Sequence, residues 1–399
     1  GPIPNPQSPI PNPQSPYPNH LNIIIYFSFI LIIIKNNYLK MKQDFQKHVL
    51  ILLLILTNYS KGDIINSDIF KGKENMLKRL TMKSLTKITN NLYMINYLND
   101  YYLEDLLKFG HKNINGLIKF IKGKIGNEYD FNIIKINQGF ACSSFNVYNN
   151  NDQNLFGRNY DYSYEPSLVV WTQPKKGYKS ISFVHGKFVG LYERKEIIKD
   201  RLLLAPYAPM DGMNEVGLAI SVLLLHNKST HQSNPTLIDV STSIMIRGVL
   251  DFCKNVNEAI LFFKKYNMHD AIEGKSFHFM ITDSNGDSVI IEYIDNEIKL
   301  IKPNMNNYLK YLYITNFYLS KGNFNKDKRY KTLEENLKTN VKMESNQAMD
   351  LLNKVHMNTT VWSNVYNTKN LNVITAYRAK FSSLYEFNVL KPLKIKYIR

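Results

Sequence analysis

From Cys142 to the C-terminus the chain alternates short runs of β-forming residues with turn residues, and this punctuation restricts the fold more than any other feature. Cys142–Tyr148 and Leu155–Tyr160 are two such runs, joined by a turn at Asn149–Asp152. Ile181–Val184 and Leu218–Leu225 read as further strands. A three-strand meander follows over Phe277–Thr282, Ser288–Tyr293 and Ile298–Ile301. Its links, Asp283-Ser-Asn-Gly-Asp and Asp295-Asn296, consist of residues that tolerate positive φ. Tyr311–Asn316 adds a strand, and Val361–Tyr366 with Leu371–Tyr377 closes as a hairpin. Apolar residues at helical spacing mark Ser241–Cys253, Glu258–Tyr266, Arg329–Leu337 and Asn346–Val355. Two groups of strands with paired helices between them predict an α+β fold of two sheets packed face to face and covered by helices.

Upstream the pattern differs. Leu77, Leu80, Leu85, Ile88, Leu92 and Ile95, then Leu103, Leu106, Leu107, Leu117, Ile118 and Ile121, follow helical spacing and predict two or three amphipathic helices over Met76–Ile125. Asn132–Asn137 reads as a strand. Residues 2–18 hold eight of the fifteen prolines, in a tandem PIPNPQS repeat that favours polyproline II and buries no core. After Met41, two lysines, the apolar run Val49–Leu56 and the small residues Ser60 and Gly62 have the anatomy of a secretory signal. Residues 1–40 are then an extension, consistent with a mis-annotated start, and 41–62 a signal peptide leading to secretion or a lysosome-like compartment. The rival reading anchors the chain in a membrane through Leu21–Ile34, although fourteen residues are short for a ~30 Å hydrocarbon layer. In a secretory pathway Asn227 and Asn358 become glycosylation acceptors.

Charge excludes less than it suggests. Lys and Arg number 50 against 33 Asp and Glu, a net +17, but only eight of the basic residues are Arg and the lysines are scattered. Nucleic-acid readers gather basic residues on one face and use Arg forks, so no nucleic-acid partner is expected. Two cysteines make no disulfide framework or Cys-based zinc site, and the nine His form no compact ligand set, so neither metal nor cofactor is expected.

A strand Cys is ordinarily a small buried hydrophobe. Cys142 has unusual company: a hairpin turning at Asn149–Asp152 returns Gly157-Arg-Asn-Tyr-Asp beside it, bringing Arg158 and Asp161 near the thiol. A guanidinium near sulfur favours the thiolate. No His is placed to form a Cys–His pair, but a Cys can use its own α-amino group as base. That scheme requires cleavage of the Ala141–Cys142 bond. Cys253 and Arg378 read instead as a core residue and a strand-face cation.

The string Cys142-Ser-Ser-Phe with Gly157-Arg-Asn-Tyr-Asp resembles the choloylglycine hydrolase superfamily of N-terminal-nucleophile (Ntn) hydrolases, the linear amide C–N hydrolases. Asp211-Gly-Met-Asn-Glu-Val-Gly-Leu, the pair Thr315-Asn316 with Arg329, and Trp362-Ser-Asn-Val-Tyr-Asn resemble further segments of it in the same order. The resemblance implies a four-layer αββα sandwich of two antiparallel sheets, with residues 142–399 as catalytic domain. Residues 63–141 would be a helical N-terminal pro-segment, a layout similar to acid ceramidase and N-acylethanolamine acid amidase. It also implies roles: Cys142 as nucleophile and, through its freed amine, base; Asp161 orienting that amine; Arg158 beside the sulfur; Asn316 offering its amide to the oxyanion; Arg329 completing the network. The substrate would be a small-molecule N-acyl amide, with a lipid amide and a peripheral membrane contact as further options. Leu224 departs from the bile-salt and penicillin branch, which has a polar residue there, so a second oxyanion donor would come from a backbone N–H. An acyltransferase on the same scaffold and a non-catalytic binding protein are the alternative functions.

Overall fold

The structure is a computed structural model and describes residues 64–126, 141–193, 195–272, 274–303, 311–322, 327–340, 342–392 and 396–398. The expected signal, the Leu21–Ile34 run and the Asn132–Asn137 strand lie outside these residues. Two compact units, 1–72 and 73–399, divide the chain. Of the first, only the opening turns of a helix spanning Ile64–Lys83 are described. Among the described residues no helix is long and apolar enough to cross a membrane.

The second unit carries two large sheets. One has nine strands: β1 (Thr86–Thr89), β2 (Leu92–Tyr97), β5 (Ser167–Thr172), β6 (Ser180–His185), β7 (Asp211–Asn214), β8 (Ala219–Leu225), β11 (Ser276–Thr282), β12 (Ser288–Ile294) and β13 (Glu297–Ile301), in that spatial order. The other has seven: β14 (Tyr313–Ile314), β3 (Ala141–Tyr148), β4 (Asn154–Asp161), β15 (Thr360–Asn367), β16 (Asn372–Tyr377), β17 (Leu384–Asn388) and β18 (Lys396–Ile398). A short parallel pair, β9 (Ile238–Ser241) and β10 (Tyr266–His269), stands apart. Every pairing within the two large sheets is antiparallel except β2 with β5.

The period of two along β3 decides the layers. Phe145 and Val147 pack outward with Leu155 and Val365 against Leu333, Leu337, Leu351 and Leu352 of the helices Lys328–Thr339 and Ser345–Lys354. Cys142 and Ser144 point the other way, and Ser144 Oγ meets Ser221 Oγ of β8 at 2.9 Å across the sheets. Beyond β8 and β11 lie the helices Thr242–Phe252 and Val256–Lys264, where Phe263 packs edge-on against Phe279 at 4.8 Å. The result is a four-layer αββα sandwich, as expected.

The segment 63–141 differs from the helical expectation. It has helices at Ile64–Lys83, Leu103–Phe109 and Ile114–Ile125, but Ile88, Leu92 and Ile95 belong to the β1/β2 hairpin rather than to a helix, and Leu85 lies just before it. Their spacing suits a helix. The Asn90-Asn91 turn, with Asn91 at φ 68°, and the β-branched and aromatic neighbours Thr86, Thr89, Tyr93 and Tyr97 favour strands. An available sheet edge decides the matter: β2 runs parallel to β5, from Leu92 opposite Ser167 to Tyr97 opposite Thr172. Tyr101 completes the attachment, donating to Asp251 Oδ2 at 2.6 Å.

Candidate active site

Four segments from both sheets and one outer helix converge on Cys142. The hairpin places Ala141 opposite Asp161, Cys142 opposite Tyr160 and Ser144 opposite Arg158. The turn forms where expected: Asp152 adopts φ 56°, and Asn149 Oδ1 accepts from the backbone N–H groups of Asn151 and Gln153. Glycine at 157 is a packing requirement, because a Cβ there would lie 2.5 Å from the Phe145 ring opposite.

The expected Tyr311–Asn316 strand is shorter, with only Tyr313 and Ile314 paired to β3. Side chains continue the edge in its place. Asn146 Oδ1 accepts from Leu312 N at 2.7 Å, and Asn316 Oδ1 accepts the backbone N–H of Cys142 at 2.5 Å. The Asn316 amide in turn donates to the Leu224 carbonyl at 2.7 Å. Leu224 therefore contributes an acceptor here, while its side chain is buried in the core.

Arg329 enters from the first turn of the helix Lys328–Thr339. Asp327 caps that helix, accepting from Arg329 N at 2.9 Å, and its Oδ2 accepts from Thr315 Oγ1 at 2.5 Å. This ties the Arg329 turn to the Thr315-Asn316 pair. The guanidinium donates to the Cys142 carbonyl at 3.0 Å and to Asn316 Oδ1 at 3.1 Å, and lies 3.6 Å from Asp161 Oδ2. All five residues expected in the site are thus brought together.

Burial dominates their electrostatics. Burial pushes the Asp161 carboxyl up to about 6, against the opposing pull of its Thr360 hydrogen bond and of Arg329 and Arg158. Its Oδ1 accepts from Thr360 Oγ1, whereas its buried Oδ2 has no hydrogen-bond donor among the described residues. Burial raises the Cys142 thiol as well; the Arg158 charge opposes this and does not overcome it. The expectation that Arg158 favours the thiolate therefore holds in sign, but in the intact chain burial outweighs it. Cys253 is buried too, its thiol pushed up to about 12, in keeping with a packing role. Arg378 follows β16 and pairs with Glu193 at 3.2 Å. Among the described residues no group of three or more His, Cys, Asp or Glu is placed to hold a metal.

Residues without an assigned role in the sequence reading also belong here. Thr360 bonds Asp161, and Asp211 faces Arg158 with its Oδ2 3.5 Å from Nε. Trp362, Asn364 and Tyr366 all donate to the Asp211 carboxylate. The Asp211 and Trp362 segments were visible as motifs, but nothing in one dimension shows that they meet.

The chain is thus a two-sheet sandwich with a buried polar cluster around Cys142. The sequence model for "Linear amide C-N hydrolases, choloylglycine hydrolase family" matches residues 142–376, and the chain belongs to that family. A penicillin V acylase from Pectobacterium atrosepticum is 35% identical over 94 residues, 21% of this chain. That similarity spans only 25% of the acylase's own length. Among solved structures, a conjugated bile acid hydrolase from Clostridium perfringens superposes with TM-score 0.47 and 14% identity, covering 65% of this chain and 96% of that one. Penicillin V acylase from Agrobacterium tumefaciens gives 0.44 and 17%, covering 64% and 86%.

Proposed function

We propose that the chain is a cysteine Ntn amidohydrolase that cleaves the carbon–nitrogen bond of a linear N-acyl amide, after cleavage between Ala141 and Cys142. The observation that supports this reading is the buried Oδ2 of Asp161, which has no hydrogen-bond donor among the described residues, on the residue that pairs with Ala141 across the hairpin. An α-amino group freed at Cys142 brings new N–H donors to that place, with Asn316 Oδ1 already bonded to the same nitrogen. The family match beginning at Cys142 supports the same boundary.

In this reading the amine takes the thiol proton as Sγ attacks the substrate carbonyl. The free α-amino group has an ordinary pKa of ~7.7–8.0, suited to a base near neutrality. Asn316 Nδ2 carries two hydrogens; one is held by Leu224 O and the second serves the tetrahedral oxyanion. Asp161 orients the amine, and Arg329 fixes Asn316 and Asp161 relative to each other. Protonation expels the leaving amine, and water hydrolyses the Cys142 thioester to the free acid. Residues 63–141 form the pro-segment, and a signal at 41–62 delivers the protein to a secretory compartment. There Asn227 and Asn358, both exposed, are available for glycosylation.

The test is amine release from a panel of fatty-acyl, phenoxyacetyl and bile-acid amides by wild type and Cys142→Ala. Hydrolysis of at least one class by wild type, abolished in the variant, is the expected result. Equal rates in both proteins would remove Cys142 from the chemistry.

A further inference from the structure

Asp211 is a fully buried carboxylate that faces Arg158 from the opposite sheet. Such a charge is costly unless paired and hydrogen-bonded. Here Oδ2 accepts from Trp362 Nε1 at 2.8 Å, and Oδ1 accepts from Asn364 Nδ2 at 3.0 Å and from the Tyr366 hydroxyl. The three donors occupy alternate positions of β15, so they share one face of the strand beside β4. Asn364 stands directly opposite Arg158 in that pairing. It is itself fixed, because Thr375 Oγ1 donates to its Oδ1 at 2.8 Å.

The guanidinium is consequently held at two ends. Asp211 lies 3.5 Å from Nε, and the Val222 carbonyl accepts from Nη2 at 2.6 Å. Nη1 has no hydrogen-bond partner among the described residues. Cys142, as thiolate, and Asp211 both favour the charged guanidinium, against the opposing effect of its burial. The charged groups facing the thiol are Arg158 and Asp161, with Tyr160 beside it; those facing Arg158 are Asp211 and Asp161. Arg329 acts on Asp161 from the far side.

We propose that Asp211 is a positioning residue that holds the Arg158 guanidinium against the Cys142 thiol, a role that rests on Cys142 being the nucleophile. Asparagine cannot replace it, because its amide would turn N–H groups towards donors already aimed at the carboxylate. Released from Nε, the guanidinium loses its fixed place and the thiolate loses its cation.

The experiment measures alkylation of Cys142 by iodoacetamide between pH 5 and 10 in the protein expressed as the whole chain and allowed to mature, read by peptide mass spectrometry. Wild type, Asp211→Asn and Arg158→Met are compared, with kcat and KM on whichever amide wild type hydrolyses. The account expects Asp211→Asn to raise the ionisation midpoint in the same direction as Arg158→Met. Near-neutral alkylation then slows about 10-fold for every pH unit by which the midpoint rises. It also expects kcat to fall while KM stays within about 2-fold. A folded Asp211→Asn with the wild-type midpoint, while Arg158→Met is displaced upward, overturns it. Should Asp211→Asn fail to fold, Tyr366→Phe removes one donor and leaves the carboxylate in place. A smaller rise of the midpoint there supports the proposal, and a wild-type midpoint overturns it. A Cys142 that is unreactive in wild type at every pH removes the nucleophile reading itself, and the role of Asp211 with it.

Discussion

The backbone N–H of Cys142 donates to the side-chain oxygen of Asn316, where a strand neighbour would ordinarily offer a carbonyl. Backbone pairing between β3 and β14 stops at Ser144 and Ile314, and a side chain takes over for the last rung. The nitrogen that would become the new N-terminus is thus bonded to a group that can accept from a peptide or an amine alike. Arg329 locks the arrangement by donating to both the Cys142 carbonyl and Asn316 Oδ1.

Replacing Arg329 by Met removes that lock without a large change in volume. Processing at Cys142 and amide hydrolysis should each fall by about 10²–10³, the usual cost of losing a preorganised group around an oxyanion. Lysine should restore only part of the loss, since it keeps the charge but not the two-pronged fork. Gel densitometry of the processed fraction, with kcat on the same samples, checks this.

Asp161 should leave a signature in the pH dependence of stability. Its folded value of about 6 lies above the ordinary 3.8, so the folded chain retains a proton that the unfolded chain releases. Its contribution is complete below pH 3.8 and disappears as pH rises through about 6. Asp161→Asn lacks that contribution. In a Cys142→Ala background, where both proteins stay intact, the variant should gain on its parent by roughly 2–3 kcal/mol between pH 4 and pH 7. Urea unfolding at several pH values measures the difference; one that does not change with pH would contradict the assignment.

Gly217 is fixed by conformation and by space. It sits at φ 80° in the turn between β7 and β8, and a Cβ there would lie 2.0 Å from the Thr368 carbonyl. Gly217→Ala should cost roughly 2 kcal/mol or more, beyond the strain of a positive φ alone. Gly274, at φ 72° with nothing near its Cβ position, is the control and should cost about 1 kcal/mol. Denaturant midpoints of the two variants give the comparison.

Tyr101→Phe tests the attachment of the upstream segment. It removes the hydroxyl that donates to Asp251, a buried carboxyl already pushed up to about 6 by desolvation. The remaining support is Arg247, 2.7 Å from Asp251 Oδ1. A loss of about 1–3 kcal/mol is expected for an acceptor left short of a donor, read as a lower thermal midpoint.

Much of this architecture was legible because the local signals agreed. The Asn149–Asp152 and Asp283–Asp287 turns, the β3/β4 hairpin and the helices over 242–252 and 328–339 all combine a clear hydrophobic period with the right turn or cap residues. The β1/β2 hairpin was not, because Leu85, Ile88, Leu92 and Ile95 satisfy a helical period and a partner strand 75 residues later, Ser167 opposite Leu92, decides against it. β7 escaped notice because Asp211-Gly-Met-Asn carries little β propensity, and the strand exists through pairing with β6 and β8. The site followed the same division. Cys142, Arg158 and Asp161 were readable as a group since one short hairpin joins them. The tie between Asp211 and β15, some 150 residues apart in sequence, is visible only in three dimensions.

The most direct test of the central claim is intact-mass measurement with N-terminal sequencing of Met41–Arg399, expressed in a secretory host as wild type and Cys142→Ala and incubated near pH 4.5 and pH 7. The account predicts a wild-type fragment beginning at Cys142 and running to Arg399, with the variant left whole. A wild-type chain intact at both pH values, or a variant cut at the same bond, would contradict it.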